Sequence, residues 1–301
     1  MIRDQILIWG TVFAALLGLA FGSFLNVCLS RWPEGESIVT PRSHCRQCGR
    51  VLAWWENVPL VSWIALRGRC RGCGAWISWR YVIVEAALGS LWAVEGWRLS
   101  TFFVSRDLTS AVSDPYLDAW LAVATAISQS VLYWLLVALA ALDAEHLWLP
   151  NWLTIPGTAV GFVVSITVSG LESLPGYLSQ NIVLTIEKEL LGIASAAALI
   201  LLIRWVYWLI RHREGLGLGD AKLMALLAAW LGFSGALLAL GLGVLLGALV
   251  ALLVLLFLRR ESGEGWGLLK LPLGTFLCIG GIASALYGRE IIDAYLRWAG
   301  F

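Results

Sequence analysis

Gly215-Leu216-Gly217-Leu218-Gly219-Asp220-Ala221-Lys222 lies between two long apolar runs, and the reading of the chain turns on it. Three glycines alternate with leucines and end on Asp220, where apolar sequence resumes. A carboxylate at the mouth of a membrane helix is costly, because low-dielectric surroundings disfavour its charged form. Upstream, Ala141-Leu142-Asp143-Ala144-Glu145-His146 puts a second carboxylate, Asp143, at the end of another apolar run. If those helices pack together, Asp143 and Asp220 share a site. Two carboxylates competing for one proton make an acid and a base, as in aspartic peptide hydrolysis. Plainer readings stand beside this one. Asp220 serves equally as an N-cap, and Asp143 as an interfacial anchor with Glu145 and His146. The glycines are no dinucleotide fingerprint, since no strand precedes them and the spacing differs.

Composition fits a membrane setting. Of 301 residues 59% are apolar and 14% charged, with a mean hydropathy of +0.80, which predicts an all-α polytopic membrane protein. The net charge of +1 gives no field that would attract nucleic acid. The 18 tryptophans gather near the ends of apolar runs, as interfacial belts do.

Taken in order, residues 5–29 are the first predicted span. The near-neutral start Met1-Ile2-Arg3-Asp4 argues against a cleaved signal peptide. Residues 31–80 hold eight arginines and two cysteine pairs, too polar for lipid. Further spans are predicted at 81–98, 118–142, 151–170, 184–210, 220–232, 235–258 and 272–288, with a turn at Gly232-Phe233-Ser234-Gly235. The count is about eight. The domain reading is a first helix (1–30), a small soluble segment (31–80) and a membrane domain (81–301). Positive residues concentrate in 31–80, then at Arg211, Arg213 and Lys222, then at Arg259, Arg260 and Lys270. The opposite loops carry Asp107, Asp114 and Asp118, then Glu172, Glu187 and Glu189. The positive-inside rule therefore puts both termini outside and 31–80, Asp143 and Asp220 on the cytoplasmic side.

Cys45-Arg-Gln-Cys48 and Cys70-Arg-Gly-Cys73 are spaced like a four-cysteine zinc ribbon, each pair followed by glycine (Gly49, Gly74). Neighbouring arginines favour the thiolates. Two disulfides are the alternative, disfavoured in a reducing cytoplasm. A closed four-sulfur site has no open position, so the expected Zn²⁺ is structural. A segment this small needs such a staple. Cys28 and Cys278, alone in apolar runs, are expected as small buried hydrophobes.

These residues resemble a known family. Gly217-Leu218-Gly219-Asp220-Ala221-Lys222-Leu223 is similar to the Gly-x-Gly-Asp motif of the type IV prepilin peptidases, intramembrane aspartic proteases. Asp143, with Leu149-Pro150-Asn151-Trp152-Leu153-Thr154 after it, resembles their first catalytic motif. Gly22-Ser23-Phe24-Leu25-Asn26-Val27 matches the opening signature. Pro41 to Cys45, Asn57-Val58-Pro59, Ile77 to Tyr81 and Glu85 match the cysteine domain, and Leu271 to Leu277 a motif at the last span. Glu56, Val82 and Asn151 depart from the usual Asp, Pro and Asp.

The resemblance implies a bifunctional enzyme of the bacterial inner membrane. It would cleave the leader from prepilins and pseudopilins at the cytoplasmic face. It would then methylate the new N-terminus with S-adenosylmethionine. Asp143 and Asp220 would be catalytic, Gly217 and Gly219 would admit the substrate backbone, and Lys222 would contribute charge nearby. Three other readings stand: a peptidase without methyl transfer, a non-enzymatic scaffold with a zinc domain, and a transporter using its membrane acids as a proton relay. Oligomeric state is not legible.

Overall fold

A computed structural model describes residues 2–105, 115–172, 178–213, 217–258 and 271–300. Gly215, Asp107, Asp114, Arg259, Arg260 and Lys270 lie outside the described residues. The helices are α1 (Ile2–Arg31), α2 (Val61–Ala65), α3 (Arg80–Ser105), α4 (Pro115–His146), α5 (Asn151–Glu172), α6 (Leu178–Arg211), α7 (Leu218–Leu258) and α8 (Leu273–Ala299). Two short 3₁₀ turns, Trp32–Glu34 and Trp54–Asn57, punctuate the polar segment.

Six helices (α1, α4, α5, α6, α7 and α8) are long and apolar enough to cross a membrane. The expected eight passes include two more, and each has a physical explanation. Helix α7 is interrupted at Gly232, whose φ of 71° and ψ of 172° leave helical space and suit a residue without Cβ. Before the break, Trp230 Nε1 donates to Gly157 O of α5 at 2.9 Å. After it, Ser284 Oγ of α8 donates to Gly235 O at 2.9 Å, and Gly243 lies against Phe276 near the start of α8. Later residues of α7 thus meet earlier residues of α8. The chain has reversed at Gly232, inside the predicted turn.

Helix α3 carries Glu85, Glu95 and Arg98, which account for its lower apolarity. Both glutamates are buried, and both are partnered. Glu95 accepts from Tyr133 Oη of α4 and from Arg98, each at 3.0 Å. Glu85 accepts from the Leu60 amide at 2.8 Å. A buried carboxylate survives only with such partners.

The chain divides into two compact units, residues 1–138 and 139–301, with the division inside α4. The boundaries expected at 30 and 80 mark where the chain leaves and re-enters apolar sequence, which is a different partition. In the first unit α1 lies along α3. The pairing is antiparallel, with Gly22 against Glu85 and Gly18 against Leu88. A Cβ on Gly22 would come within 2.8 Å of the Glu85 Cα, so the approach depends on small residues. Asn26 Nδ2 donates to Tyr81 O at 3.0 Å across the same seam. In the second unit α7 packs against α5, α6 and α8.

Candidate active site and candidate metal centre

Asp143 lies in the last turn of α4, beside carbonyls whose partial negative charge disfavours a carboxylate. Its compensation comes from α8. Asp143 Oδ2 accepts the Thr275 backbone N–H at 2.7 Å and the Thr275 hydroxyl at 3.2 Å. Thr275 is the third residue of α8, so its amide is one of the donors a helix start leaves unpaired. A helix N-terminus is a natural seat for an anion. The Thr275 hydroxyl also lies 3.0 Å from the Ala140 carbonyl, which ties the two helix ends together.

Asp220 is held by its own helix. Its Oδ2 accepts the Gly217 N–H at 3.0 Å, the return half of a capping box with Asp220 at the third helical position. The N-cap position itself falls to Gly217, not to Asp220, because α7 begins two residues earlier, at Leu218. Asp143 is 6% exposed and Asp220 8%.

Leu149 links the two acids. A Cβ on Gly219, next to Asp220, would lie 3.1 Å from the Leu149 side chain. A Cβ on Gly274, next to Thr275, would lie 3.0 Å from Leu149 Cδ1 and 2.9 Å from the Asp143 carboxylate. The ends of α4, α7 and α8 therefore converge around one leucine, with both carboxylates on the inside. Gly274→Ala should accordingly displace Asp143 and lower peptide cleavage sharply while the protein stays in the membrane. A side-by-side assay of the purified variant checks this, and wild-type cleavage would contradict the packing described.

Lys222 Nζ donates to Asn151 Oδ1 at 2.6 Å, joining the first turns of α7 and α5. It stands two positions after Asp220, about 200° around the helix, so it faces away from that acid. Sequence reasoning assigned no role to Thr275, Gly274 or Leu149. Their only signal was membership of the motif stretches around Leu149 and Leu271–Leu277.

The four cysteines come together in the first unit. Their Sγ atoms all lie within 4.8 Å of one another, and Cys45 and Cys73 are 3.8 Å apart, with no disulfide. Tetrahedral zinc with Zn–S bonds of about 2.3 Å places sulfurs about 3.8 Å apart, so the donor set fits such an ion. Two knuckles of equal geometry present the sulfurs. The Cys45 amide bonds Arg50 O, and Gly49 N bonds Cys45 O. The Cys70 amide bonds Ala75 O, and Gly74 N bonds Cys70 O. Gly49 and Gly74 turn each knuckle with φ of 70° and 71°. Amides of Cys73 and Gly72 draw the Cys70 thiol down to about 6, favouring the thiolate a metal needs. Behind the knuckles, Arg50 pairs with buried Glu56, which also accepts the Ala53 amide at 2.8 Å. The Arg50 guanidinium holds the Glu56 carboxyl below its ordinary range.

Two family models match this chain. Residues 16–99 match the bacterial peptidase A24 N-terminal domain, and residues 130–252 match the type IV leader peptidase family. A protein of Pseudomonas aeruginosa named prepilin leader peptidase/N-methyltransferase is 30% identical, over 95% of this chain and 93% of its own length. One of the same name from Stutzerimonas stutzeri is 29% identical over the same shares. Another, from Myxococcus xanthus, is 38% identical over 83% of this chain and 65% of its own length. No solved structure matches.

Proposed function

We propose, for a chain that belongs to the type IV leader peptidase family, that it removes the leader of prepilins and pseudopilins and then methylates the exposed N-terminus. The observation that carries the peptidase half is the convergence around Leu149 of Gly219 and Gly274, one beside buried Asp220 and the other against buried Asp143. One aspartate, ionised, takes a proton from water as the water oxygen attacks the scissile carbonyl carbon. The other, protonated, donates to the carbonyl oxygen. Collapse of the tetrahedral intermediate returns a proton to the amine as the C–N bond breaks. The pair titrates as a unit, so neither role belongs to one residue. Thr275 and Gly217 orient the carboxylates through their amides.

The methyl half rests on the second activity in the relatives' names. S-adenosylmethionine would supply the methyl group. Among the described residues no strand, glycine loop and helix form a cradle that fits such a nucleoside. Cys45, Cys48, Cys70 and Cys73 would hold a structural Zn²⁺. The distribution of arginines and lysines supports an inner-membrane protein with both termini outside and the acids opening to the cytoplasm.

The test is purified full-length protein incubated with a prepilin and S-adenosylmethionine, the product being weighed by mass spectrometry. The expected product lacks the leader and carries one added methyl. An intact prepilin would end the peptidase reading, and a cleaved but unmethylated product would end the methyl half.

A further inference from the structure

We propose that the metal-binding segment seats on the bilayer surface through a tryptophan face, with anionic lipid headgroups as its partner. Trp63 of α2 contacts Trp76 and Trp79, with ring centroids 5.9 and 4.2 Å away, and Trp76 and Trp79 are 6.3 Å apart. Clustered indoles normally lie inside a protein, yet Trp76 and Trp79 are 57% and 55% exposed. Ile64, next to Trp63 on α2, is 67% exposed. A folded segment of this size gains nothing from holding such a surface in water.

The position of the cluster identifies what covers it. Trp79 stands at the head of α3, and its carbonyl accepts the Ile83 amide at 3.0 Å. Ile83, one turn along, is 64% exposed on a helix packed lengthwise on membrane-spanning α1. The tryptophan face therefore continues the apolar flank of α3 where that helix leaves the bilayer. Indoles favour the headgroup level, where ring and N–H are both accommodated. Trp63 Nε1 is already spent on Ile77 O at 3.2 Å, which fixes the cluster's shape before any lipid arrives.

Charge selects the headgroup. Residues 31–80 carry eight arginines against three glutamates. Arg46 and Arg50 pair with Glu34 and Glu56. Arg67 and Arg69 are exposed beside the cluster, Arg69 as the cross-strand neighbour of Trp76 and Arg67 before Gly68, which packs on Trp63. Basic side chains at this level attract anionic phosphates.

The experiment uses full-length protein in nanodiscs of phosphatidylethanolamine and phosphatidylglycerol, with Ile64→p-benzoylphenylalanine or Trp76→p-benzoylphenylalanine. The same variants in lipid-free amphipol give the background, and retained bound metal verifies the fold. On irradiation, lipid adducts should form at both positions several-fold above background and rise with the phosphatidylglycerol fraction. Adducts to other parts of the protein, or none above background, would overturn the proposal. A yield indifferent to phosphatidylglycerol would overturn the choice of an anionic partner. The outcome is independent of whether a prepilin is cleaved.

Discussion

Asp143→Asn and Asp220→Asn should each lower leader cleavage by about 10²- to 10⁴-fold, the range that general acid–base catalysis supplies. The amide keeps the size of the carboxylate and can still accept the amide hydrogen bonds from Thr275 and Gly217. Folding and membrane insertion are therefore spared, and normal protein levels in the membrane are part of the expected result. The double variant should be little worse than either single one, because two groups acting as a unit are not additive. A scaffold or a proton-relay transporter predicts no cleavage by the wild type either. Undiminished cleavage by either variant would sink the dyad.

Replacing one metal ligand should have a comparably large effect on a different observable. Cys48→Ser or Cys73→Ser leaves three sulfurs, and a four-ligand structural site of this kind contributes about 10–16 kcal/mol of apparent binding free energy in zinc-finger peptides. The segment has no long helix and few buried side chains, so little else holds it. Bound zinc should fall from one per chain to near zero. Limited proteolysis should then cut between residues 31 and 80 while the membrane helices stay intact. Unchanged metal content would mean that the sulfurs are not the ligands, and an unchanged digestion pattern that the metal does not hold the segment together.

Much of the architecture was legible because it is written in local pattern. The two Cys-x-x-Cys pairs, each with its following glycine, forecast two equal knuckles, and Gly49 and Gly74 adopt the left-handed φ that the turn needs. The apolar stretch after Asp220 was too long for one pass, and Gly232 breaks it inside the expected turn. The alternative reading of Asp220 as an N-cap is displaced to Gly217, since helix limits set by alternating Gly and Leu carry no sharp signal. What the pattern could not reveal is non-local. Thr275 holds Asp143 across 132 residues of sequence, and Tyr133 meets Glu95 across 38. Leu149 is an ordinary leucine until Gly219 and Gly274 close on it. Lys222 was read as charge for the acids, whereas its hydrogen bond goes to Asn151.

The bond between Asp143 and Thr275 also has a meaning in time. A ribosome that has just added Asp143 must still add 132 residues before the amide that steadies it exists. During that interval the nascent chain carries its acids unassembled, while other membrane segments are being inserted around it. The amide that steadies Asp143 therefore arrives only with α8, after the other helices that meet at Leu149 have been made.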